Sequence, residues 1–460
     1  MMRAYCNRML TLSILGFAVF LAPWIAAQQH GKIRGYITAR PDRETVMILD
    51  DVILLRSGLP FDVQDAPAGT QVKLDQLDVG MMIEAEGVWS GKNRFTPDKI
   101  KCDWDQLDKQ IKEYAYLERD PASRRELGMG QPCQLNADGE VLVLDSSTKF
   151  DWGSQNALKT ESEIAALVWA GRQIRYTGTR QTDGTMLVKS LEVAGFPPAD
   201  AFEIDGKRKL VRAKDAKTGI DILEFRKDKK VEGRFKLCPI REVQDYVSGL
   251  GTRLIPPMLN VPPLSTLEFR FFVVEDATAN AMALPDGAII VNTGLLGLIE
   301  NEAQLAFVLS HEIAHALQAH HYRHVHDTRT ARVLITIGAI AASTYAGDLA
   351  TFLGELGLNA VVNGYSRRIE NQADRLALQS IVDNNYDASQ AVKFFRLMVS
   401  RYSDRSTSAI WSNHDSSLLR GSFLTVQIAR RYQQQDVSKG TVDTSAFSAM
   451  KEALGPVKIR

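Results

Sequence analysis

The chain is short of net charge, of cysteine and of long apolar runs, and each shortage removes a class of function. Lysine plus arginine equals aspartate plus glutamate at 55 each, so no overall field draws the protein to nucleic acid, and none is expected as a partner. Of four cysteines, Cys6 lies near the start, and Cys102, Cys133 and Cys238 show neither Cys-x-x-Cys nor zinc-ribbon spacing. One disulfide and one leftover thiol are the most they allow, so no fold is stapled by them. The apolar runs Val333 to Ala346 and Leu349 to Val362 are 14 residues each, interspersed with Gly338, Gly347, Asp348 and Gly354. A spanning helix needs ~20. Buried helices are the expectation, with peripheral membrane contact or a plug over a cleft as the alternative.

What is present is ordinary globular composition, 45% apolar and 24% charged over 460 residues, enough for two or three domains. Residues 1–27 read as a secretory signal peptide: Arg3 and Arg8, the apolar run Leu10 to Leu21, then Ile25-Ala26-Ala27 before Gln28. Export to the periplasm or the exterior is the expectation, and an uncleaved anchor the competing one.

Residues 28–105 and 106–198 read as two tandem small β-barrel-like modules. Val46 to Asp50 and Val141 to Asp145 are near copies, and Gly80, Ile83, Gly87 and Ile100 recur as Gly171, Ile174, Gly178 and Leu191, each 91 positions on. Residues 106 to 118 could be a helix joining the two. Nothing in the modules looks catalytic; their charged residues suit the solvated faces of half-buried strands, and strand edges that hold a partner are the alternative. Residues 199–240 are strongly charged and read as a solvated linker with a hairpin.

Residues 241–435 carry the chemistry. Six of eight histidines fall between His311 and His326, and His311-Glu312-Ile313-Ala314-His315 has the spacing in which one helical turn brings two imidazoles to one ion. Asn301 and Gln304 resemble a capping box, and Leu305, Val308, Leu309, Ile313, Ala316 and Leu317 form an apolar stripe. Glu312, on the shoulder of that face, can take a proton from the attacking water. A catalytic site needs a third ligand. His321 is ten residues after His311, but without a glycine turn a continuing helix carries it ~15 Å away along the axis, which excludes it. Glu370, with Asp374 one turn later, fits two histidines and a glutamate in the thermolysin-like (gluzincin) manner. Asp374 would accept a hydrogen bond from a ligand histidine. The later His320, His321, His324 and His326 read as exposed helix-end residues. Ahead of this helix, residues 280–292 read as strand, Pro285-Asp286-Gly287 turn, strand. Its edge, at Asn280, Ala281 and Met282, could hold a peptide in extended form. Residues 423–432 suggest a helix, and the tail 436–460 tells little.

The order Asn280-Ala281-x-Ala283-Leu284-Pro285-x-Gly287, Thr293-Gly294-Leu295-Leu296, His311-Glu312-x-x-His315, Tyr365-Ser366-Arg367, Glu370 and Asp374 closely resembles the CAAX-prenyl-protease-like zinc metallopeptidases, metallopeptidase family forty-eight. Among them it is most similar to soluble envelope members concerned with protein quality control. The resemblance spans roughly Arg241 to Arg420. It implies that His414, in Ser412-Asn413-His414-Asp415, approaches the metal, and that Arg420 belongs to the substrate site. Asp415 stands where the family usually has proline.

The expected fold is therefore α+β: a mostly helical zinc peptidase domain with a small edge sheet, preceded by the two modules. The expected function is a zinc endopeptidase with one ion per chain, acting on unfolded or misassembled exported polypeptides. The competing class is a metal-containing binding or chaperone protein that works through the β modules, with a latent site. The intact Glu312 argues against it, because a structural site needs no base.

Overall fold

Apolar and polar residues alternate through the first half of the chain, and the alternation resolves into two sheets of six strands. This computed structural model describes residues 29–64, 73–103, 111–118, 126–127, 131–152, 160–181, 183–195, 197, 199–204, 208–256, 267–324, 365–402 and 416–459. The first sheet holds β1 (Gln29–Tyr36), β2 (Thr45–Ile48), β3 (Asp51–Leu54), β4 (Phe61–Gln64), β5 (Met82–Trp89) and β6 (Arg94–Asp103). The second holds β7 (Ile111–Tyr116), β8 (Cys133–Ala137), β9 (Glu140–Leu144), β10 (Lys149–Asp151), then, after α1 (Glu161–Leu167), β11 (Gln173–Arg180) and β12 (Met186–Val193). Their strand orders match: β1-β5-β6-β3-β2 with β4 beside β6, and β7-β11-β12-β9-β8 with β10 beside β12.

Even the irregularity repeats. The ladder slips at Gly87 in β5 and at Gly178 in β11. A Cβ on Gly87 would lie 2.1 Å from the Thr96 carbonyl oxygen, and one on Gly178 2.6 Å from that of Leu187. Glycine is what lets the neighbouring backbone close over each bulge. Isolated bridges join the segment after each first strand to the far edge of its sheet, Ala39 to Met47 and Leu117 to Ala137.

Three expectations need correcting. The resemblance of Val46 to Asp50 with Val141 to Asp145 pairs β2 with β9, whereas the counterpart of β9 in the sheet order is β3. Residues 111–116 are a strand rather than a helix, antiparallel to β11. Glu113 and Ala115 face inward on either side of a half-exposed Tyr114, and Glu113 is met there by Arg375, a partner from far along the chain. The charged stretch before residue 240 is a packed meander of β13 (Arg208–Lys214), β14 (Asp221–Lys227) and β15 (Lys230–Lys236). Its lysines and arginines hide an apolar face, Leu210, Leu223 and Phe225, which packs against Phe272, Met282 and Ile290.

The remaining elements surround one helix. They are α2 (Arg241–Arg253), β16 (Arg270–Val274), β17 (Ala281–Ala283), β18 (Ala288–Asn292), α3 (Thr293–Leu298), α4 (Glu302–Leu317), α5 (Arg367–Asp383), α6 (Ser389–Tyr402), α7 (Ser417–Arg431) and α8 (Ser445–Leu454). The chain is thus α+β, with its sheets towards the N-terminus and its helices towards the C-terminus. Small-sheet order β16-β18-β17 leaves β17 at an edge. The turn into β18 has Gly287 at φ 84°, where a Cβ would lie 2.8 Å from the Glu268 carbonyl oxygen.

One hydrophobic core runs from the first sheet into the helices, joining Tyr36 and Ile48 with Phe395 and Phe423, while the second sheet has its own core around Leu142, Tyr176 and Leu191. The Tyr36 N–H donates to Ser422 Oγ at 2.9 Å, which seats the first sheet on α7. Cys102, Cys133 and Cys238 are buried and free. Among the described residues no helix is long and apolar enough to cross a membrane. The signal segment, the apolar runs within 333–362, and His326 lie outside the described residues.

Candidate metal centre

Helix α4 is buried along its whole length rather than along one stripe. Its N-cap Asn301 accepts from the Gln304 N–H at 3.0 Å. The return contact of the expected capping box falls one residue earlier, with the Glu300 N–H donating to Gln304 Oε1 at 3.0 Å. Held this way, the helix directs His311 and His315 towards α5.

Three donors converge there. His311 Nε2 and His315 Nε2 are 3.0 Å apart, and they lie 3.6 and 3.5 Å from the two Glu370 oxygens. All three residues are buried, their ligand atoms lie within 4.8 Å of one another, and together they could hold a metal ion. Two imidazoles and a carboxylate are a donor set for a borderline metal, three protein ligands that leave room for a fourth partner. The Glu312 side chain, one residue after His311, is 1% exposed.

Behind His311 stands a second layer. Asp374 Oδ1 is 3.0 Å from His311 Nδ1, and Arg420 holds the same carboxylate with both arms, Nη2 to Oδ1 at 2.6 Å and Nε to Oδ2 at 3.0 Å. The guanidinium lies over the Phe395 ring, 4.6 Å from its centroid. Burial disfavours the Arg420 charge, but Asp374 outweighs it and leaves the pKa above its ordinary value. Arg420 is 1% exposed, and besides Asp374 it reaches His311 Nε2 at 3.3 Å and Glu370 Oε2 at 3.7 Å.

His315 is braced by different means. Tyr365 stacks on its ring at 4.4 Å between centroids and 22° between planes, and burial, then Glu312 and Glu370, push the Tyr365 hydroxyl well above its usual pKa. His320 Nδ1 lies 3.0 Å from His315 Nδ1, and its Nε2 lies 3.2 Å from Gln372 Oε1. Burial first, then Arg323, lower the His320 pKa to about 3, so the ring is neutral. This corrects the reading of the later histidines: His320 is fully buried, while His321 and His324 are half-buried. The helix does not continue as expected, because Ala319 adopts φ 49° and turns the chain. Glycine or asparagine is the usual sign of such a turn in a sequence, and position 319 holds neither. His320 and Gln372 are accordingly site residues that sequence reasoning missed, and Tyr365 stood there as part of a motif without a role.

Of the substrate-edge residues, Asn280 is 5% exposed, Ala281 0% and Met282 2%. They lie on and beside the edge strand β17, which packs against α4. His414 lies outside the described residues.

A family model described as Peptidase family M48 matches residues 243–428. The Escherichia coli (strain K12) "Beta-barrel assembly-enhancing protease" is 30% identical over 169 residues, 35% of this chain and 34% of that one. "Mitochondrial metalloendopeptidase OMA1" of Schizosaccharomyces pombe is 31% identical over 153 residues, 33% and 43% of the two chains. The human "Metalloendopeptidase OMA1, mitochondrial" is 30% identical over 161 residues, 34% and 29%. The chain thus spans about a third of the length of the relatives it matches. The matched stretch holds α4, the Glu370 helix and Arg420, and over that stretch the chain is similar to peptidase family M48.

Proposed function

We propose that the protein is a zinc-dependent endopeptidase, one ion per chain, that hydrolyses peptide bonds of exported polypeptides in envelope protein quality control. The observation that carries this reading is the burial of His311, His315 and Glu370 around one point with Glu312 on the same helix. Zinc at that point would supply Lewis acidity, acidifying water and polarising the peptide carbonyl. Glu312 takes the proton of the attacking water and returns it to the leaving amine nitrogen. Asp374 fixes the tautomer and orientation of His311, and Arg420 holds Asp374 while remaining the candidate for the substrate contact expected of it. The edge of β17 takes the substrate main chain by β-augmentation beside α4, with Asn280, Ala281 and Met282 framing it. His414 remains the candidate for polarising the substrate carbonyl.

The domain has the gluzincin ligand set, and each β module is a small barrel closed by its Ala39–Met47 or Leu117–Ala137 bridge. The unfolded or misassembled exported proteins are the substrate class. Support for it comes from the residue 1–27 signal pattern and from a relative whose name places it in β-barrel assembly.

The test compares bound zinc and cleavage of an unfolded protein in the wild type and in Glu312→Gln. The expected outcome is retained zinc with cleavage reduced by ~10²–10⁴-fold, the range of general acid–base assistance. Cleavage that survives the substitution overturns the mechanism, and a wild type without metal overturns the metal reading.

A further inference from the structure

We infer that His320 is a positioning residue for His315, locked in place by the second β module through Gln372. The inference rests on the reading of His311, His315 and Glu370 as the metal ligands.

The contacts form one directed chain. His315 turns Nε2 towards His311 and Glu370, which leaves Nδ1 facing His320 Nδ1 at 3.0 Å. Two ring nitrogens at that separation need one N–H and one lone pair. A His315 that offers the Nε2 lone pair to a metal carries its proton on Nδ1 and donates, so His320 accepts at Nδ1 and carries its own proton on Nε2. That proton meets Gln372 Oε1 at 3.2 Å. The amide nitrogen of Gln372 then donates to the Tyr114 carbonyl at 2.7 Å and approaches Asp138 Oδ2 at 3.4 Å, both in the second module.

The opposite assignment fails at each end. It puts the His315 proton on Nε2, against the ligand point, and sets a bare His320 nitrogen against Gln372 Oε1. Flipping the Gln372 amide to repair that contact would set its oxygen against the Tyr114 carbonyl, acceptor against acceptor. One proton arrangement satisfies the whole chain, and it is the one in which His315 can bind metal.

The backbone is shaped for the purpose. On an uninterrupted helix a residue five positions after His315 would point ~140° away. Ala319, in a left-handed conformation that few residues other than glycine take, brings His320 back beneath His315. The second module grips that turn: Gln318 Nε2 donates to Asp138 Oδ2 at 2.6 Å, and the Tyr116 hydroxyl to the Leu317 carbonyl at 3.4 Å. His320 is fully buried. The two ligand histidines are oriented differently, His311 by a carboxylate and His315 by a neutral imidazole that adds no charge beside Glu370.

The experiment uses the full chain and measures zinc retention against a competing chelator for the wild type, His320→Leu and His320→Asn, with circular dichroism to establish folding. Asparagine keeps an acceptor near the Nδ1 position; leucine has none. The expected result is a 10–100-fold weaker zinc affinity for the leucine variant, the usual cost of losing an outer hydrogen-bond partner, and affinity within a few-fold of wild type for the asparagine variant. Leucine binding zinc as tightly as wild type, or asparagine rescuing nothing, overturns the inference. Should the leucine variant not fold, nitrogen-15 NMR of histidine-labelled, zinc-loaded wild type decides: His320 protonated on Nε2 upholds it, and protonated on Nδ1 overturns it. A wild type that binds no zinc instead overturns the metal reading itself.

Discussion

The Asp138 carboxyl, 2% exposed at the turn between β8 and β9, is one place where pH acts on this protein. Burial lifts its pKa from the ordinary 3.8 to about 8; Glu118 and Glu113 add to the rise, and the Tyr116 backbone and Arg375 oppose it. Between about 4 and about 8 the folded chain keeps a proton that the unfolded chain has released. Stability from this group is therefore greatest below the lower limit and is lost as pH rises towards the upper one. Asp138→Asn, always neutral and still an acceptor for Gln318, is expected to flatten the decline of melting temperature between about pH 5 and pH 9. Equal slopes for both proteins would rule this out. At this scale the sequence was most legible where chemistry follows helical spacing. His311, His315 and the pair Glu370 and Asp374 sit one turn apart, so period alone places them. His320 could not be found that way, because its position depends on a backbone turn at Ala319 that a side-chain pattern does not encode.

Elements were legible where their own periodicity sets them and illegible where a distant partner does. Helices α2, α4, α5 and α7 and the turn at Gly287 follow local pattern. β7 does not, since its inward Glu113 is tolerable only with Arg375 opposite it. The C-terminal segment is the other case. Glu302, in the first turn of α4, accepts from the hydroxyls of Tyr246, Tyr386 and Thr444, and the Ala303 N–H donates to the Val442 carbonyl at 3.0 Å. Lys451 Nζ donates to the carbonyls of Leu296, Gly297 and Ile299 at 2.6, 3.1 and 3.0 Å, closing the end of α3. Phe447 and Met450 are buried beneath. A chain ended at residue 435 is expected to lose at least ~3 kcal/mol, since burying two such side chains alone stabilises by about 1.5–3 kcal/mol each. A thermal melt reads this directly, and an unchanged melting temperature would show that the tail is dispensable.

Across the whole molecule, the second module is joined to the peptidase region by charge. Arg375 of α5 reaches Glu113 and lies 2.8 Å from Glu140, which Arg180 also holds at 2.7 Å, all of them buried. Burial works against the Glu140 charge, but Arg180 and Arg375 hold its pKa at about 2. Removing one member leaves buried charge uncompensated, so Arg375→Met is expected to cost about 3–5 kcal/mol in urea unfolding. A loss below 1 kcal/mol would mean that the network contributes little. The sequence displayed the repeat through its glycines, yet it contained no sign of where either copy docks, because docking depends on pairs such as Tyr36 with Ser422 that lie 386 positions apart.

Both sheets dock on elements that carry the site. The first seats on α7 and also on α5, where Asn371 Nδ2 donates to the Tyr36 hydroxyl at 3.4 Å; the second seats on α5 and the turn after α4. The helix that carries Glu370 is thus clasped by both sheets at once. Displacing α5 therefore breaks side-chain contacts to both sheets, so the third ligand is tied down from two parts of the chain that lie before residue 120.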